Sequence, residues 1–235
     1  MIRHMLAVSV ATGLLLASTF ARADTKDEVA AAAKKLAGDS YSWKSTTEGG
    51  QFGGSQEGKI QKDGLVWMSR TFGDNTIEIV KKGEAGAVKT QDGWQSVAEA
   101  AESEGPGRGI ARSVQNFKAP ATQAQELAEK LEKVEKSDDA YTATLTEEQV
   151  KSMATFGRRG GGGGGQAPPI KNAKGTAKFW VKDGALAKTQ YTVSYVITIQ
   201  DEDRDVNRTT TTEFKDVGST KVEVPAEAKE KAKIK

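Results

Sequence analysis

The segment at 185–200, ALAKTQYTVSYVITIQ, constrains the fold more than any other part of the chain. From Tyr191 onward, apolar and polar side chains alternate, with Val196 as the exception. Successive side chains of a strand point to opposite faces, so the pattern predicts a long strand with one buried face. At roughly 3.3 Å per residue it would span about 50 Å, whereas most strands have about 5–6 residues. A strand of this length is typical of a large curved antiparallel sheet.

The flanking segments predict that this strand belongs to an antiparallel meander. The Asp183-Gly184 turn before it is a strong hairpin signal. We interpret the acidic run 201–205 after it as a charged turn, and a further turn follows at 216–218. The sequence therefore predicts four C-terminal strands, at 176–181, 185–200, 208–214 and 220–224.

The first half of the chain predicts a second meander. A helix is expected at 24–38, where Val29, Ala32, Ala33 and Leu36 form an apolar stripe and Gly38 is a stop signal. Turns containing Gly or Asp-Gly then recur every eight to twelve residues, which is typical of antiparallel strands. The expected strands lie at 41–47, 55–61, 65–72, 76–81 and 85–90.

The middle of the chain predicts helices. We expect helices at 94–101 and 122–136, a mobile segment at 102–112 and a short strand at 141–145. Thr146 and Gln149 have the spacing of a capping box that opens a further helix. Six consecutive glycines at 160–165 cannot offset their ordering entropy, so 157–170 is predicted to be a disordered loop. The alternative, a phosphate-binding glycine loop, would need a preceding strand and a following Lys-Ser/Thr.

The first 23 residues have the organisation of a secretory signal peptide. A short basic start containing Arg3 precedes an apolar run at 5–19 and the small-residue site Ala21-Arg22-Ala23. An uncleaved membrane anchor is the alternative, but about fifteen apolar residues fall short of the roughly twenty that span a bilayer. We therefore expect cleavage after Ala23, a periplasmic or secreted protein, and no transmembrane segment after cleavage.

The charge and the missing side chains exclude several kinds of function. Arg3 and Arg22 account for the whole net charge of +2, so the exported part is neutral and no nucleic-acid partner is expected. The chain has no cysteine, and its one histidine, His4, lies in the predicted leader. This excludes zinc sites of the His/Cys type, Ser-His-Asp and Cys-His catalysis, haem with His or Cys ligands, and a cysteine-linked lipid anchor.

Without histidine or cysteine, an enzyme would depend on carboxylate or Ser/Lys chemistry. The densest acidic group is Asp201, Glu202, Asp203 and Asp205, whose alternation is similar to that of a calcium loop. The loop glycine and the distal glutamate of such a site are missing, so we interpret this group as a solvated turn. We expect a non-catalytic protein with no cofactor and no metal site.

Three short motifs resemble the periplasmic lipoprotein-carrier superfamily, the fold of LolA, LolB and the LppX/LprG-type lipid binders. They are Asp92-Gly93-Trp94, the hairpin FWVKDGAL at 179–186, and the run from TTEF at 211–214 to VEVPAEA at 222–228. The resemblance implies an α+β fold in which a large curved antiparallel β-sheet, a half-open barrel, is covered by helices on its concave side. It implies one domain at 24–235 with a helical insertion at 94–157, and a cavity for acyl chains.

These features predict a binding protein for a lipid, a lipoprotein or another apolar ligand. The residues expected to line the cavity are Trp43, Trp67, Ile77, Ile79, Phe179, Tyr191, Tyr195 and Ile197. The alternative is that they form the core, since burial of one such side chain contributes about 1.5–3 kcal/mol and suffices to explain it. A second alternative is a protein-interaction or sensor module with a collapsed cavity, which would bind a protein partner through the segments 102–120 and 157–169.

Overall fold

A computed structural model describes residues 24–49, 53–73, 75–90, 93–103, 106–156, 169–199 and 202–234. Its strands are β1 (Tyr41–Glu48), β2 (Gly54–Ile60), β3 (Leu65–Phe72), β4 (Asn75–Lys82), β5 (Ala85–Thr90), β6 (Gly93–Ser96), β7 (Glu135–Ser137), β8 (Ala140–Leu145), β9 (Ile170–Lys182), β10 (Ala185–Ile199) and β11 (Glu202–Lys215). Its helices are α1 (Thr25–Ala37), α2 (Val97–Glu102), α3 (Pro106–Gln115), α4 (Pro120–Lys130), α5 (Glu147–Phe156) and α6 (Ala226–Ala232).

The eleven strands form one antiparallel sheet in the order β6-β5-β4-β3-β2-β1-β11-β10-β9-β8-β7. The sheet consists of two meanders that join where β1 pairs with β11, and there Trp43 lies opposite Phe214. The outermost strands, β6 and β7, are not paired with each other, so the sheet is not closed. The predicted fold class, α+β with a large curved antiparallel sheet and covering helices, is confirmed.

The predicted long strand is confirmed as β10, which has fifteen residues and lies between strands of thirteen and fourteen. Val193, Tyr195 and Ile197 point into the core, whereas Thr192 is exposed. A register shift in the pairing with β9 lies between Ser194 and Val196. The exception in the alternating pattern therefore coincides with an irregularity in the ladder.

The main core lies between one face of the sheet, here called the inner face, and helices α1 to α5. Val29 and Leu36 of α1 are fully buried there. The Tyr41 ring lies 5.9 Å from the Trp43 ring and 5.7 Å from the Phe214 ring, measured between centroids. The Tyr41 hydroxyl accepts a hydrogen bond of 3.3 Å from the Ala121 backbone N–H, which fixes the first turn of α4 to the sheet.

A second, smaller core lies on the opposite, outer face. There α6 covers strands β4 to β6, and Ala228 and Ala232 pack with Val80 and Trp94. Because side chains alternate along β3, Trp67 belongs to this cluster while its neighbours Val66 and Met68 belong to the main core. Residues on both faces of this half of the sheet are therefore buried.

Two strand predictions at the C-terminal end are wrong. Residues 220–224 form no strand, because β11 is already paired on both sides, with β1 and β10, and offers no free edge. Residues 202–205 of the acidic run are not a turn, because Glu202 already pairs with Ile199 as β11 begins, and Asp201 lies outside the described residues. The polar side chains favour a turn there, but the hydrogen-bonded pairing of β10 with β11 already begins at Ile199 and Glu202.

The predicted insertion at 94–157 contains α2 to α5, and it also contains the strands β7 and β8. The segment at 102–112, predicted to be mobile, lies largely within α3, whose Ala111 and Val114 are buried. The helix predicted at 122–136 ends at Lys130 because the chain then forms the β7–β8 hairpin. Leu131 and Val134 are still buried, but from non-helical backbone, so tertiary pairing overrides the helical spacing here.

Two predictions lie mostly or wholly outside the described residues. The leader at 1–23 is one, and the glycine-rich loop at 157–170 is the other, except that Ile170 already begins β9. Within the described part of the chain, no helix combines the length and the apolar character that crossing a membrane requires.

Candidate functional site

A cleft of about 630 Å³ lies between α4, α5 and the inner face of β10 and β11. Leu127 of α4, Met153 of α5 and Tyr191 and Val193 of β10 form its apolar part. The other lining residues are polar or charged: Lys118, Gln123, Glu126, Lys130, Glu132, Thr146, Glu148, Gln149, Ser152, Arg208 and Thr210.

Hydrogen bonds at the helix ends hold the walls of the cleft. The predicted capping box is confirmed: the Gln149 N–H donates to the Thr146 hydroxyl at 3.3 Å, and the Thr146 N–H donates to the Gln149 side chain at 2.8 Å. Gln149 also donates from Nε2 to the Lys130 carbonyl at 3.0 Å. This contact ties the start of α5 to the end of α4.

The charges around the cleft balance each other. Lys118, Lys130 and Arg208 are basic, and Glu126, Glu132 and Glu148 are acidic. Lys118 Nζ donates to both carboxylate oxygens of Glu126 at 2.7 Å, and the Arg208 guanidinium donates to the Met153 carbonyl at 3.4 Å. Among the described lining residues, the cleft therefore combines an apolar part with a charged rim of no net sign.

A second cavity, of about 200 Å³, lies on the inner face beside the cleft, with which it shares Gln123, Tyr191 and Thr210. We call it the hydroxyl chamber. Its other lining residues come mainly from β1, β2, β3, β10 and β11: Ser45, Thr47, Gly54, Ser55, Gln56, Arg70, Thr71, Pro120, Thr189 and Thr212. Among the described residues that line it, Arg70 carries the one formal charge.

Cross-strand pairs of hydroxyl groups form one wall of the hydroxyl chamber. The Ser45 and Thr212 oxygens are 2.8 Å apart, and the Thr47 and Thr210 oxygens are 3.1 Å apart. Both pairs are directly opposite in the register of β1 and β11. A row of hydroxyl groups is thereby held on the half-buried inner face.

Desolvation affects two polar groups at this site to different degrees, because the Tyr191 hydroxyl is buried whereas Arg70 is only partly desolvated and stays exposed. The Tyr191 hydroxyl forms no hydrogen bond of normal geometry with the described residues, although the Thr189 hydroxyl is near enough to affect it. Burial raises the pKa of the Tyr191 phenol above its ordinary value, an effect that the neighbouring Thr189 hydroxyl only partly offsets. Desolvation likewise lowers the pKa of the Arg70 guanidinium.

The eight residues predicted to line a cavity lie at three kinds of place. Tyr191 lines both cavities. Trp67 lies in the outer-face cluster, where its indole N–H donates to Glu78 at 3.4 Å. The remaining six pack in or against the main core, outside the lining of both cavities: Trp43, Ile77, Ile79, Phe179, Tyr195 and Ile197.

Sequence reasoning did not identify the polar lining residues. The threonines at 209–212 lie within the strand expected at 208–214, and their spacing alone does not indicate a cavity. The alternate members Thr210 and Thr212 lie on the inner face opposite Thr47 and Ser45. The sequence does carry a signal for these residues: hydroxyl side chains occur at alternate strand positions that face the core, where apolar side chains are the norm.

The acidic group at 201–205 forms ordinary strand contacts where it is described. Asp203 accepts hydrogen bonds from the Thr198 hydroxyl at 2.6 Å and from Lys171 at 3.4 Å, while Asp201 lies outside the described residues. A search for three or more His, Cys, Asp or Glu side chains that could share a metal ion finds none in the described ranges.

No protein-family model matches the sequence, and no curated protein matches it. Among solved structures, the fold is similar to a LolA superfamily protein from Nitrosomonas europaea, at 9% identity and a TM-score of 0.29, covering 85% of this chain and 95% of that one. It is also similar to a chain of the Pseudomonas aeruginosa MucA/MucB complex, at 10% identity and a TM-score of 0.29, covering 81% and 93%.

A third similar structure is a putative outer membrane lipoprotein-sorting protein domain from Vibrio parahaemolyticus, at 9% identity and a TM-score of 0.22, covering 82% of this chain and 92% of that one. Likenesses at these TM-scores carry no argument about function, which has to come from the residues of this chain.

Proposed function

We propose that this protein is an exported, non-catalytic binding protein that holds a lipid, or another ligand with an apolar part, in the cleft between α4, α5 and the sheet. The cleft itself is the observation that carries the proposal. Its volume of about 630 Å³ is typical of small-molecule sites, which occupy roughly 300–1,000 Å³.

The composition of the cleft suits an amphipathic ligand. An apolar chain would lie against Leu127, Met153, Tyr191 and Val193, and each buried methylene would contribute about 0.8 kcal/mol. The charged side chains at the rim stay hydrated, so they do not oppose entry of the chain. The ligand is therefore expected to bury its chain and to keep a polar part near polar side chains.

The competing interpretation is a protein-interaction module, which would have a collapsed cavity and mobile binding segments. An open cleft favours ligand binding over that alternative. The segment at 102–120 also gives it little support, since most of its described residues belong to α3 and pack on the core.

The proposal includes export through the leader at 1–23. The basic start, the apolar run and the Ala21-Arg22-Ala23 site support cleavage after Ala23 and a periplasmic or secreted location. The purified protein is then expected to begin at Asp24.

The first experiment is native mass spectrometry of protein expressed from the full sequence, followed by organic extraction of bound material. We expect the mass of a chain beginning at Asp24 and a discrete co-purifying lipid. Uptake of a fluorescent fatty acid then measures binding in the wild-type protein and in variants.

We predict that Thr210→Trp abolishes uptake of this fatty acid, because the new ring would fill the junction of the two cavities. Thr192→Trp is the matched control. It makes the same change on the exposed face of the neighbouring strand and should bind as the wild type does. Circular dichroism of both variants reports whether the sheet is retained.

A wild-type protein that carries no lipid and takes up no fatty acid would contradict the proposed function. If folded Thr210→Trp takes up as much fatty acid as the wild type, the ligand binds outside this cleft.

A further inference from the structure

We propose that the hydroxyl chamber binds the anionic, oxygen-rich head group of an amphiphile whose chain occupies the adjoining cleft. This inference rests on the proposed function and specifies the class of ligand. It gives the hydroxyl chamber a role of its own, because binding of an apolar chain in the cleft does not account for a second, polar cavity.

The first support is that the cleft and the hydroxyl chamber are continuous. Gln123, Tyr191 and Thr210 line both cavities, so one molecule can extend from the cleft into the chamber. The chamber is the smaller, at about 200 Å³ against about 630 Å³ for the cleft. These sizes suit a compact head group joined to a longer chain.

The second support is a row of polar side chains on the inner face, next to an apolar row. By register, the row passes through five adjacent strands at Thr189, Thr212, Ser45, Gln56 and Arg70.

Two residues further along the strands, the next row is Phe214, Trp43, Gly58, Met68 and Ile79. Of the polar row, Thr189 and Thr212 are buried, whereas Ser45 and Gln56 are half-buried and Arg70 is exposed. Packing alone would favour apolar side chains at the two buried positions, so those two threonines require a separate explanation.

The third support is the supply of donors. In each of the pairs Ser45–Thr212 and Thr47–Thr210, one hydroxyl donates to the other. A hydroxyl carries one proton, so each pair keeps one O–H that the pair itself does not use. The amides of Gln56 and Gln123 add one further N–H each, because Nε2 of Gln56 already donates one proton to Met68 Sδ at 3.9 Å and Nε2 of Gln123 one to the Lys118 carbonyl at 2.7 Å.

The fourth support is Tyr191. Its hydroxyl is buried and forms no hydrogen bond of normal geometry with the described residues, although the ring lines both cavities. Leaving a buried hydroxyl unpaired is costly, and such groups are rare in folded proteins. An acceptor oxygen of a bound head group would satisfy it.

The sign of the head group follows from charge. Among the described lining residues of the chamber Arg70, which also interacts with another group of the protein, is the one charged side chain, and the hydroxyl and amide groups beside it are donors. Hydrogen bonds from hydroxyl, amide and guanidinium donors to ionised oxygens are stronger than those to neutral ones. The chamber therefore favours an anion such as a phosphate monoester over an uncharged alcohol.

The test is isothermal titration calorimetry of the protein expressed from its full sequence, with three probes: decyl phosphate, decanol and inorganic phosphate. We expect decyl phosphate to bind more tightly than either other probe, because only it occupies both cavities. Tyr191→Phe removes the hydroxyl and keeps the ring. It should weaken decyl phosphate binding by about tenfold, as expected for loss of one hydrogen bond to a charged group, and leave decanol binding unchanged.

The matched control is Tyr195→Phe, the same change on the same face of β10 but outside the lining of both cavities. It should bind both amphiphiles as the wild type does. Thermal unfolding gives an independent readout. If the Tyr191 hydroxyl had a purely structural role, its removal in Tyr191→Phe would lower the melting temperature of the protein. If the hydroxyl has no internal partner, its removal should leave the melting temperature unchanged or raise it.

Each outcome decides between the two proposals. If decyl phosphate and decanol bind equally well, or if Tyr191→Phe weakens both equally, the head-group site is wrong while the cleft remains a binding site. If inorganic phosphate binds as tightly as decyl phosphate, the chamber takes a free anion and the chain-binding cleft is wrong. If none of the three probes binds, both proposals fail.

Discussion

At the scale of single residues, Gly58 illustrates how closely the inner face is packed. It lies in β2 directly opposite Trp43 of β1. A Cβ atom at this position would lie 2.3 Å from Cζ2 and 2.4 Å from Cη2 of the Trp43 ring. That ring is 3% exposed and stacks on Phe117 with centroids 6.2 Å apart, so it has little room to move. Glycine is required here because the indole occupies the space of a side chain.

We predict that Gly58→Ala lowers the free energy of unfolding by about 1–3 kcal/mol, the range for overpacking in a core. A Trp43→Phe background removes the clashing ring atoms. In that background Gly58→Ala should lower the free energy of unfolding by a smaller amount. Urea unfolding of the four proteins in this cycle measures the coupling, which for residues in contact is about 0.5–3 kcal/mol. Gly38→Ala is the control, because its Cβ would make only ordinary contacts, the nearest at 3.6 Å.

An equal cost of Gly58→Ala in both backgrounds would show that the ring is not the obstacle. The strain would then come from the β2 backbone itself.

At the scale of elements, α5 shows local sequence and tertiary contact acting together. Its capping box could be predicted from Thr146 and Gln149 alone, because both partners lie within one turn. The bond from Gln149 to the Lys130 carbonyl could not, because it depends on where α4 ends. The two contacts together place Met153 in the wall of the cleft.

We predict that Thr146→Ala lowers the free energy of unfolding by about 1 kcal/mol through loss of the cap, measured by urea unfolding. Thr146→Ser keeps the hydroxyl and should recover most of that loss. A serine variant as unstable as the alanine variant would indicate that the threonine methyl group, rather than the cap, stabilises this end of α5.

At the scale of the whole molecule, stability should be insensitive to pH near neutrality. Beyond residue 23 the chain has no histidine, the residue whose ordinary pKa falls between about pH 5 and 8. Several carboxyl groups have lowered pKa values: Asp63 through a hydrogen bond from Lys82, Glu99 through the Ser96 backbone, and Asp203 through the Thr198 hydroxyl. Such groups stabilise the fold above their unfolded pKa and lose that effect as the pH falls through the folded value.

We predict a constant melting temperature between about pH 6 and 8 and a decline below about pH 4, where these carboxyl groups become protonated. Burial raises the pKa of Tyr41 and of Tyr191, so their contribution is complete below about pH 10 and is lost as the pH rises further. Differential scanning calorimetry across this range provides the measurement. A step in the melting temperature near pH 6.5 would contradict the prediction.

Much of the architecture could be predicted because the signals are local. Strands β3 and β5 have their predicted bounds, and β1, β2, β4, β8 and β10 are within a residue or two of theirs. Where the prediction failed, a distant pairing decided the outcome. Residues 220–224 form no strand because β1 already pairs with β11, and α4 ends early because β7 pairs with β8.

The sequence by itself determined that one face of β10 is buried, that Gly and Asp-Gly turns separate the strands, and that histidine and cysteine chemistry is excluded. These follow from side-chain alternation, turn geometry and composition, which need no knowledge of distant residues. Only the tertiary structure decided which inward residues line a cavity and which fill the core. Tyr191 and Tyr195 belong to the same alternating pattern, yet only Tyr191 lines the space between the sheet and helices α4 and α5. That space depends on how far the helices stand from each row of the sheet, a distance that the periodicity of a single strand does not encode.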